Sequence, residues 1–341
     1  MRMIDSHVHL DHHNPRKALE MVDHFGYERY ALMGIPCMGN PLNTLECLLA
    51  KRLAPGRTYT FGGMVYTSGR EPSAADHEKQ LMLMMEAGCD GWKILESKPS
   101  VYRELKIPLD GEVFSRSFAM AEREGIPITW HAGDPATFWD AKTAPAFAVK
   151  YNWLCVGEGF PTLDEMYRQV ENVMARHPKL RTSMAHLYFT SDDRAHAERM
   201  LDAYEHFWLD LTPGSEMYSA FLADREGWRR FFETYQDKLV FGTDMVDAED
   251  DVVFGSQDTI VEFVLKTLMQ ETPFSVADIS GVGLGLPQGV QEKIFAKNFE
   301  GRVGLPKPIS ASGLNAYVEY LMPRLTAQER RRAEAMLCDG V

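Results

Sequence analysis

Short runs of β-branched and aromatic residues alternate along this chain with longer stretches whose apolar positions recur every three or four residues. Eight runs predict strands: Met3–Leu10, Tyr30–Ile35, Thr60–Tyr66, Gly91–Leu95, Pro127–Ala132, Thr182–His186, Phe207–Leu211 and Leu239–Thr243. Helical periodicity fills Pro15–His24, Ala75–Ala87, Gly111–Arg123, Thr162–His177, Ser191–Tyr204 and Gly227–Tyr235 between them. Punctuation agrees: Thr162 stands before Asp164 and Glu165 as a cap, Pro178 follows His177 as a stop, and Gly88 and Gly125 fall just past helical patterns. This alternation predicts an α/β fold, a closed (β/α)8 TIM barrel. The rival, an open doubly wound sheet, would carry a glycine-rich phosphate loop after its first strand, where this chain has HVHLDHHNP. The long Trp-, Phe-, Pro- and Gly-rich connection from His131 to Thr162 predicts a lid or binding loop. Past the eighth strand, Asp258–Gln270 and Gln288–Ala296 read as helices. Gly281–Pro287 (GVGLGLP) reads as an ordinary loop, because no Gly-Lys-Ser/Thr follows. Two more helices follow Ser310, so the expected organisation is a barrel over 1–304 and a C-terminal helical extension, 305–341, packed on it.

Composition narrows the class. Of 341 residues, 45% are apolar and 25% charged, as in a folded globular protein. No apolar run is long enough to span a bilayer, and MRMIDSHVHL lacks the apolar core of a secretory signal, so a cytoplasmic protein without membrane partners is expected. Five scattered cysteines without a CxxC pair argue against a disulfide framework and a thiolate zinc site. A net charge of −13 disfavours nucleic acid, and the lone basic run, Arg330–Arg332, reads as a solvated helix face. A small-molecule substrate remains the expected partner.

The candidate chemistry begins at His7 and His9. Two residues apart on a strand, they face the same way and can hold one divalent ion; otherwise each buried ring nitrogen needs its own partner. His131 and His186 end the fifth and sixth predicted strands, and Asp244 follows the eighth in GTD. A barrel brings these strand ends to one face, where active sites are built.

HVH on the first strand, histidines after the fifth and sixth, and GTD after the eighth resemble the amidohydrolase superfamily. The short stretch before HVH is similar to its amidohydrolase-related group, which includes simple hydrolases, lactonases and the aminocarboxymuconate-semialdehyde type of decarboxylase. The resemblance spans roughly Met3 to Gly304 in organisation. It implies His7, His9, Asp244 and His131 as ligands of a divalent metal, zinc or alternatively manganese, with one or two ions. It implies His186 as a second-metal ligand or a neutral acid/base imidazole, Asp244 as proton acceptor from water, and a homodimer as the assembly. In two-metal relatives a carboxylated lysine or a glutamate bridges the ions near the fourth strand, where Lys93 and Glu96 stand. For Lys93 a salt bridge to Asp244 or to a substrate carboxylate is weighed against carboxylation. Glu96, of opposite strand parity, is expected at the rim.

Asp134, Trp139 and Asp140 follow His131 and are candidates for covering or contacting substrate; Thr212 and Glu216 follow the seventh strand and are candidates for reaching the pocket. Asp5 is a candidate support for a ligating imidazole. His12 and His13 are expected as solvated loop residues, and His24, His77, His177, His196 and His206 as surface or packing residues. Asp247, Glu249, Asp250 and Asp251 are expected in a solvated loop. The leading function is hydrolysis of an ester, lactone or amide by metal-activated water. The alternative is a non-oxidative decarboxylase whose substrate carboxylate is oriented by Lys93 or Arg70, and the third is a non-catalytic metal- or ligand-binding barrel.

Overall fold

The computed structural model describes residues 1–67, 71–214, 216–247, 250–251 and 255–339. Its central sheet is parallel and runs in sequence order: β1 (Ile4–His9), β2 (Arg29–Met33), β3 (Thr58–Gly62), β4 (Gly91–Ser97), β5 (Pro127–Ala132), β6 (Arg181–Met184) and β7 (Phe207–Asp210). The eighth run is split. β8 (Leu239–Val240) pairs with β7, and β9 (Met245–Val246) pairs with β1. In the gap, Ser6 N donates to Phe241 O at 3.0 Å and Asp244 N donates to His7 O at 2.9 Å, so the sheet closes on itself. The fold is the TIM barrel that the alternating pattern predicts.

Two side-chain layers hold it. Between strands and helices lies a large apolar layer that includes Val8, Leu32, Trp92, Ile94 and Trp130; inside the barrel, toward the strand N-termini, Ile4, Ala31, Met33, Tyr59, Phe61, Val240 and Phe299 pack together. Ile4 and Val8 would share a face in a regular strand, yet they lie in different layers. The β1–β2 register shifts between Asp5 and Val8, and this irregularity turns His7 and His9 toward the interior.

Several boundaries differ from expectation, each for a local reason. β4 continues to Ser97 through a second register shift, after Ile94. β6 stops at Met184 because His186, Leu187, Tyr188 and Phe189 all adopt left-handed backbone, with φ of 55°, 53°, 58° and 52°. The helix Asn43–Ala50 was not anticipated: all eight residues are buried, so it has no polar face to create a period. Part of GVGLGLP is strand, since Pro273–Val276 and Ile279–Val282 form an antiparallel hairpin. Gln288–Glu292 is α-helical but continues as a π-helical turn, Lys293–Lys297. In the tail, Ala311–Leu321 packs on Ala74–Ala87; a Cβ at Gly313 would meet Glu86 O at 2.0 Å, so only glycine permits that approach. The last helix, Ala327–Asp339, is tied to the barrel by an Arg332–Glu46 ion pair. Among the described residues no helix is long and apolar enough to cross a membrane.

Candidate metal and catalytic site

His7 is fully buried, and its Nδ1 lies 2.8 Å from Asp210 Oδ2. Asp210 is itself fastened by the Thr212 amide at 2.9 Å and the Thr212 hydroxyl. Burial alone would raise the Asp210 carboxyl, but the bonds from His7 and from the Thr212 hydroxyl and amide together outweigh it and hold the group below its ordinary range. Burial, then the nearby Lys93 charge, pushes His7 down to about 4. The imidazole is therefore neutral, with Nδ1–H donated to Asp210 and the Nε2 lone pair aimed into the barrel mouth. Asp210, not Asp5, supports the ring. Asp5 instead accepts from the His7 amide (3.1 Å), the Thr243 amide (3.1 Å) and the Thr243 hydroxyl (2.5 Å), joining β1 to the GTD turn. Gly242 of GTD faces these groups: a Cβ there would lie 2.5 Å from Thr212 Oγ1 and 2.8 Å from Asp210 Oδ1. Asp210→Asn is expected to weaken divalent-metal affinity about 10–100-fold, as loss of such supporting carboxylates does. A chelator-competition titration checks it, and unchanged affinity would remove Asp210 from the site.

Asp244 sits in left-handed backbone, φ 60°, which turns its carboxylate back over the histidines. Oδ1 is 3.1 Å from His9 Nε2 and 3.6 Å from His7 Nε2. Neither approach has hydrogen-bond geometry, so Oδ1 is buried without a hydrogen-bond partner, as is His9 Nδ1. One donor atom from each of His7, His9 and Asp244 lies within 4.8 Å of the other two. Ligand atoms ~2.0–2.1 Å from one tetrahedral ion sit ~3.3 Å apart, so the observed separations suit a single divalent cation. Burial would raise the Asp244 carboxyl, but His9 and the other imidazoles hold it well below its usual range.

Lys93 is buried beneath this cluster with Nζ 2.9 Å from His7 Nε2. Among the described residues it forms no ion pair within 4.0 Å, so the expected bridge to Asp244 is replaced by a bond to the imidazole. Burial pushes the amine down to about 8. His131 and His186 stand above the cluster with ring centroids 4.9 Å apart, and the His186 ring is 5.9 Å from that of His7. His131 Nε2 lies 3.3 Å from Asp134 Oδ1, so it becomes available for a ligand only when that contact opens. His186 Nδ1 is held by the Thr212 and Pro213 carbonyls at 3.3 and 3.2 Å. Burial lowers its pKa, leaving a neutral ring whose Nε2 carries the lone pair.

A pocket opens over Asp244, His131 and His186, with Lys98, Asp134, Phe138, Phe147, Trp153 and Phe189 among its walls. Asp134 is therefore placed at the pocket, paired with Lys98 Nζ at 2.8 Å. Lys98, which sequence reasoning missed, is the lysine facing this pocket; Lys93 lies below it. Trp139 is not among the lining residues: it packs in the insert, its indole N–H bonded to Pro161 O at 2.9 Å. Glu216 meets Ser191 Oγ at 3.4 Å and also lies outside the lining, while Thr212 is buried against Asp210. Asp247 is no solvated residue: it is buried and accepts from the His12 and Asn14 amides at 2.8 and 2.5 Å. His13 pairs with Glu46 at 3.0 Å. Arg70 and Glu249 lie outside the described residues, as do the side chains of Asp250 and Asp251.

Glu96 has the parity expected but not the rim position. It is buried against the helix Ala74–Ala87, accepting from Leu95 N (2.9 Å) and Tyr66 OH (3.0 Å). Tyr66 in turn meets His77 Nε2 at 3.2 Å, and His77 Nδ1 meets Ser117 Oγ at 2.7 Å. Burial raises the Glu96 carboxyl from 4.5 to about 7. Between those values the folded protein keeps a proton that the unfolded chain has lost, so this group's contribution to stability falls as pH rises, by about 3 kcal/mol in all. Asp5, raised by burial to about 7, acts in the same direction. His7 and His77, pushed down by burial to about 4 and about 3, act the opposite way, so the wild-type slope is a balance. Glu96→Gln is expected to raise the change in unfolding free energy between pH 4.5 and 7 by about 3 kcal/mol relative to wild type; an unchanged slope in denaturant titrations would contradict it.

The family model described as amidohydrolase matches residues 4–298. No curated protein matches the chain. Similar solved structures include 4-oxalomesaconate hydratase from Rhodopseudomonas palustris (11% identity, TM-score 0.49, covering 94% of this chain and 99% of that one). They also include an amidohydrolase from Mycoplasma synoviae (12%, 0.47, 93% and 94%) and one from Mycobacterium avium subsp. paratuberculosis K-10 (12%, 0.46, 84% and 73%). With the model matched across nearly all of the barrel, the chain belongs to the amidohydrolase family.

Proposed function

We propose that the protein is a hydrolase of small-molecule esters, lactones or amides, with one divalent metal, zinc, held by His7, His9 and Asp244. The observation that carries this reading is the buried, unpartnered Asp244 Oδ1 facing two imidazole nitrogens beneath an open pocket. A divalent ion at such a site supplies Lewis acidity and lowers the pKa of water to ~7.

The protein's own groups then divide the work. Asp244, ionised and at the pocket floor, accepts a proton from the attacking water and returns it to the leaving group. His186, neutral and oriented by two carbonyls, presents Nε2 toward the substrate to accept a hydrogen bond. Asp210 keeps His7 in the tautomer whose Nε2 is unprotonated. Decarboxylation is less favoured, because Lys98, the lysine that lines the pocket, is already paired with Asp134.

Turnover of an ester, lactone and amide panel in 18O-labelled water, with CO2 followed in parallel, tests the reading. One 18O per product carboxylate is expected. CO2 release without label incorporation would overturn it in favour of decarboxylation.

A further inference from the structure

We propose that the substrate carries an uncharged aromatic ring beside the bond that is cleaved, and that Phe138, Phe147 and Trp153 select it. This deepens the hydrolase reading and rests on it for the position of the reacting bond.

The pocket has two kinds of lining: the polar groups Asp244, His131 and His186, and the rings of Phe138, Phe147 and Trp153, all three supplied by the insert between β5 and the helix Leu163–Arg176. Phe138 and Phe147 meet at 6.0 Å and 74°, Phe147 and Trp153 at 6.1 Å and 82°. Rings packed edge-to-face do not cover one another's faces, and an aromatic guest gains both offset-stacked and edge contacts from such a wall.

The wall is built before any ligand arrives. Phe138, Ala148 and Cys155 are a buried core belonging to the insert itself. Backbone bonds from Cys155 N to Phe138 O (2.9 Å) and from Trp153 N to Ala148 O (2.8 Å) fix the two sides of the wall to each other. Selection therefore costs little ordering of side chains.

Charge argues for a neutral ring. Lys98 is the sole lysine or arginine among the described residues lining the pocket, and Asp134 compensates it at 2.8 Å while also contacting His131. Lys98 lies over the Trp153 ring, 5.0 Å from its centroid, so the cation is held on both sides. A carboxylate on the far end of the ring would be desolvated here without a free cationic side chain as partner.

The test compares benzamide, cyclohexanecarboxamide and 4-carbamoylbenzoate, whose charge lies at the far end of the ring, in titrations of the metal-loaded protein followed by ligand-observed NMR. Benzamide is expected to bind about 5- to 10-fold more tightly than cyclohexanecarboxamide, the scale of one or two aromatic contacts, and more tightly than 4-carbamoylbenzoate. Trp153→Leu and Phe147→Leu, which keep an apolar side chain but remove the ring, should each reduce the preference for benzamide while a thermal melt confirms folding. No benzamide binding, equal affinity for the two neutral amides, or tighter binding of the charged one would overturn the proposal. These affinities do not require cleavage. A failed hydrolysis panel with intact aryl preference would thus remove the reaction assignment alone, and hydrolysis without aryl preference would remove this proposal alone.

Discussion

Asp244→Asn is expected to lower kcat by about 10²–10⁴-fold, the range carried by a positioned acid/base group, while shifting the melting temperature little. Asparagine is among the few non-glycine residues that tolerate left-handed backbone, so the φ of 60° at this position survives the change. The Asp244 amide bond to His7 O, which closes the barrel seam, is also unaffected. What changes is the side chain: an acceptor held well below the ordinary carboxylate range becomes a neutral amide that cannot take a proton. Steady-state kinetics beside a thermal melt separate the two effects. Turnover within a few-fold of wild type would remove Asp244 from its assigned role.

The paired replacement of His7 and His9 by alanine is expected to abolish metal retention, with elemental analysis of the purified protein falling to background. The two changes differ in structural cost. His9 is partly exposed and its Nδ1 has no hydrogen-bond partner, so its loss leaves few groups stranded. Removing His7 strands the buried Asp210 carboxylate, a loss of about 3 kcal/mol or more. His9→Ala alone therefore keeps the measurement decisive where the double variant folds poorly. Metal at wild-type stoichiometry in a folded variant would show that the ion sits elsewhere.

The barrel and the three residues of its candidate metal site were legible because they rest on strong local signals. Eight strand-like runs repeat with helices between them, and HVH and GTD stand at strand ends. Asp210 was not legible: FWLD reads as an ordinary strand terminus, and only the contact with His7, 203 residues earlier in the chain, gives the carboxylate meaning. A buried-type acid at the C-terminal end of β7, two residues before Thr212, was the available signal. Parity misplaced Asp5 because a register shift in β1 breaks the alternation that parity assumes. In the insert, sequence alone could not tell Trp139, which packs inward, from Phe138, Phe147 and Trp153, which face the pocket. That difference is decided by how the segment folds on its own small core. The run His186–Phe189 carries no glycine to announce left-handed backbone, so the early end of β6 was equally hidden.

The split eighth run also bears on the order in which the chain comes apart. β1 and β8/β9 are the first and last segments of the barrel, and they meet through Ser6–Phe241, Asp244–His7, and the Asp5–Thr243 bonds. An ion shared by His7, His9 and Asp244 would span that same join, closing a chain loop that contains nearly the whole barrel. Because it binds the folded chain and not the unfolded one, it stabilises the closed barrel by mass action. Amide hydrogen exchange at Ser6 and Asp244 should then slow most on metal loading, making the seam a clock for global opening.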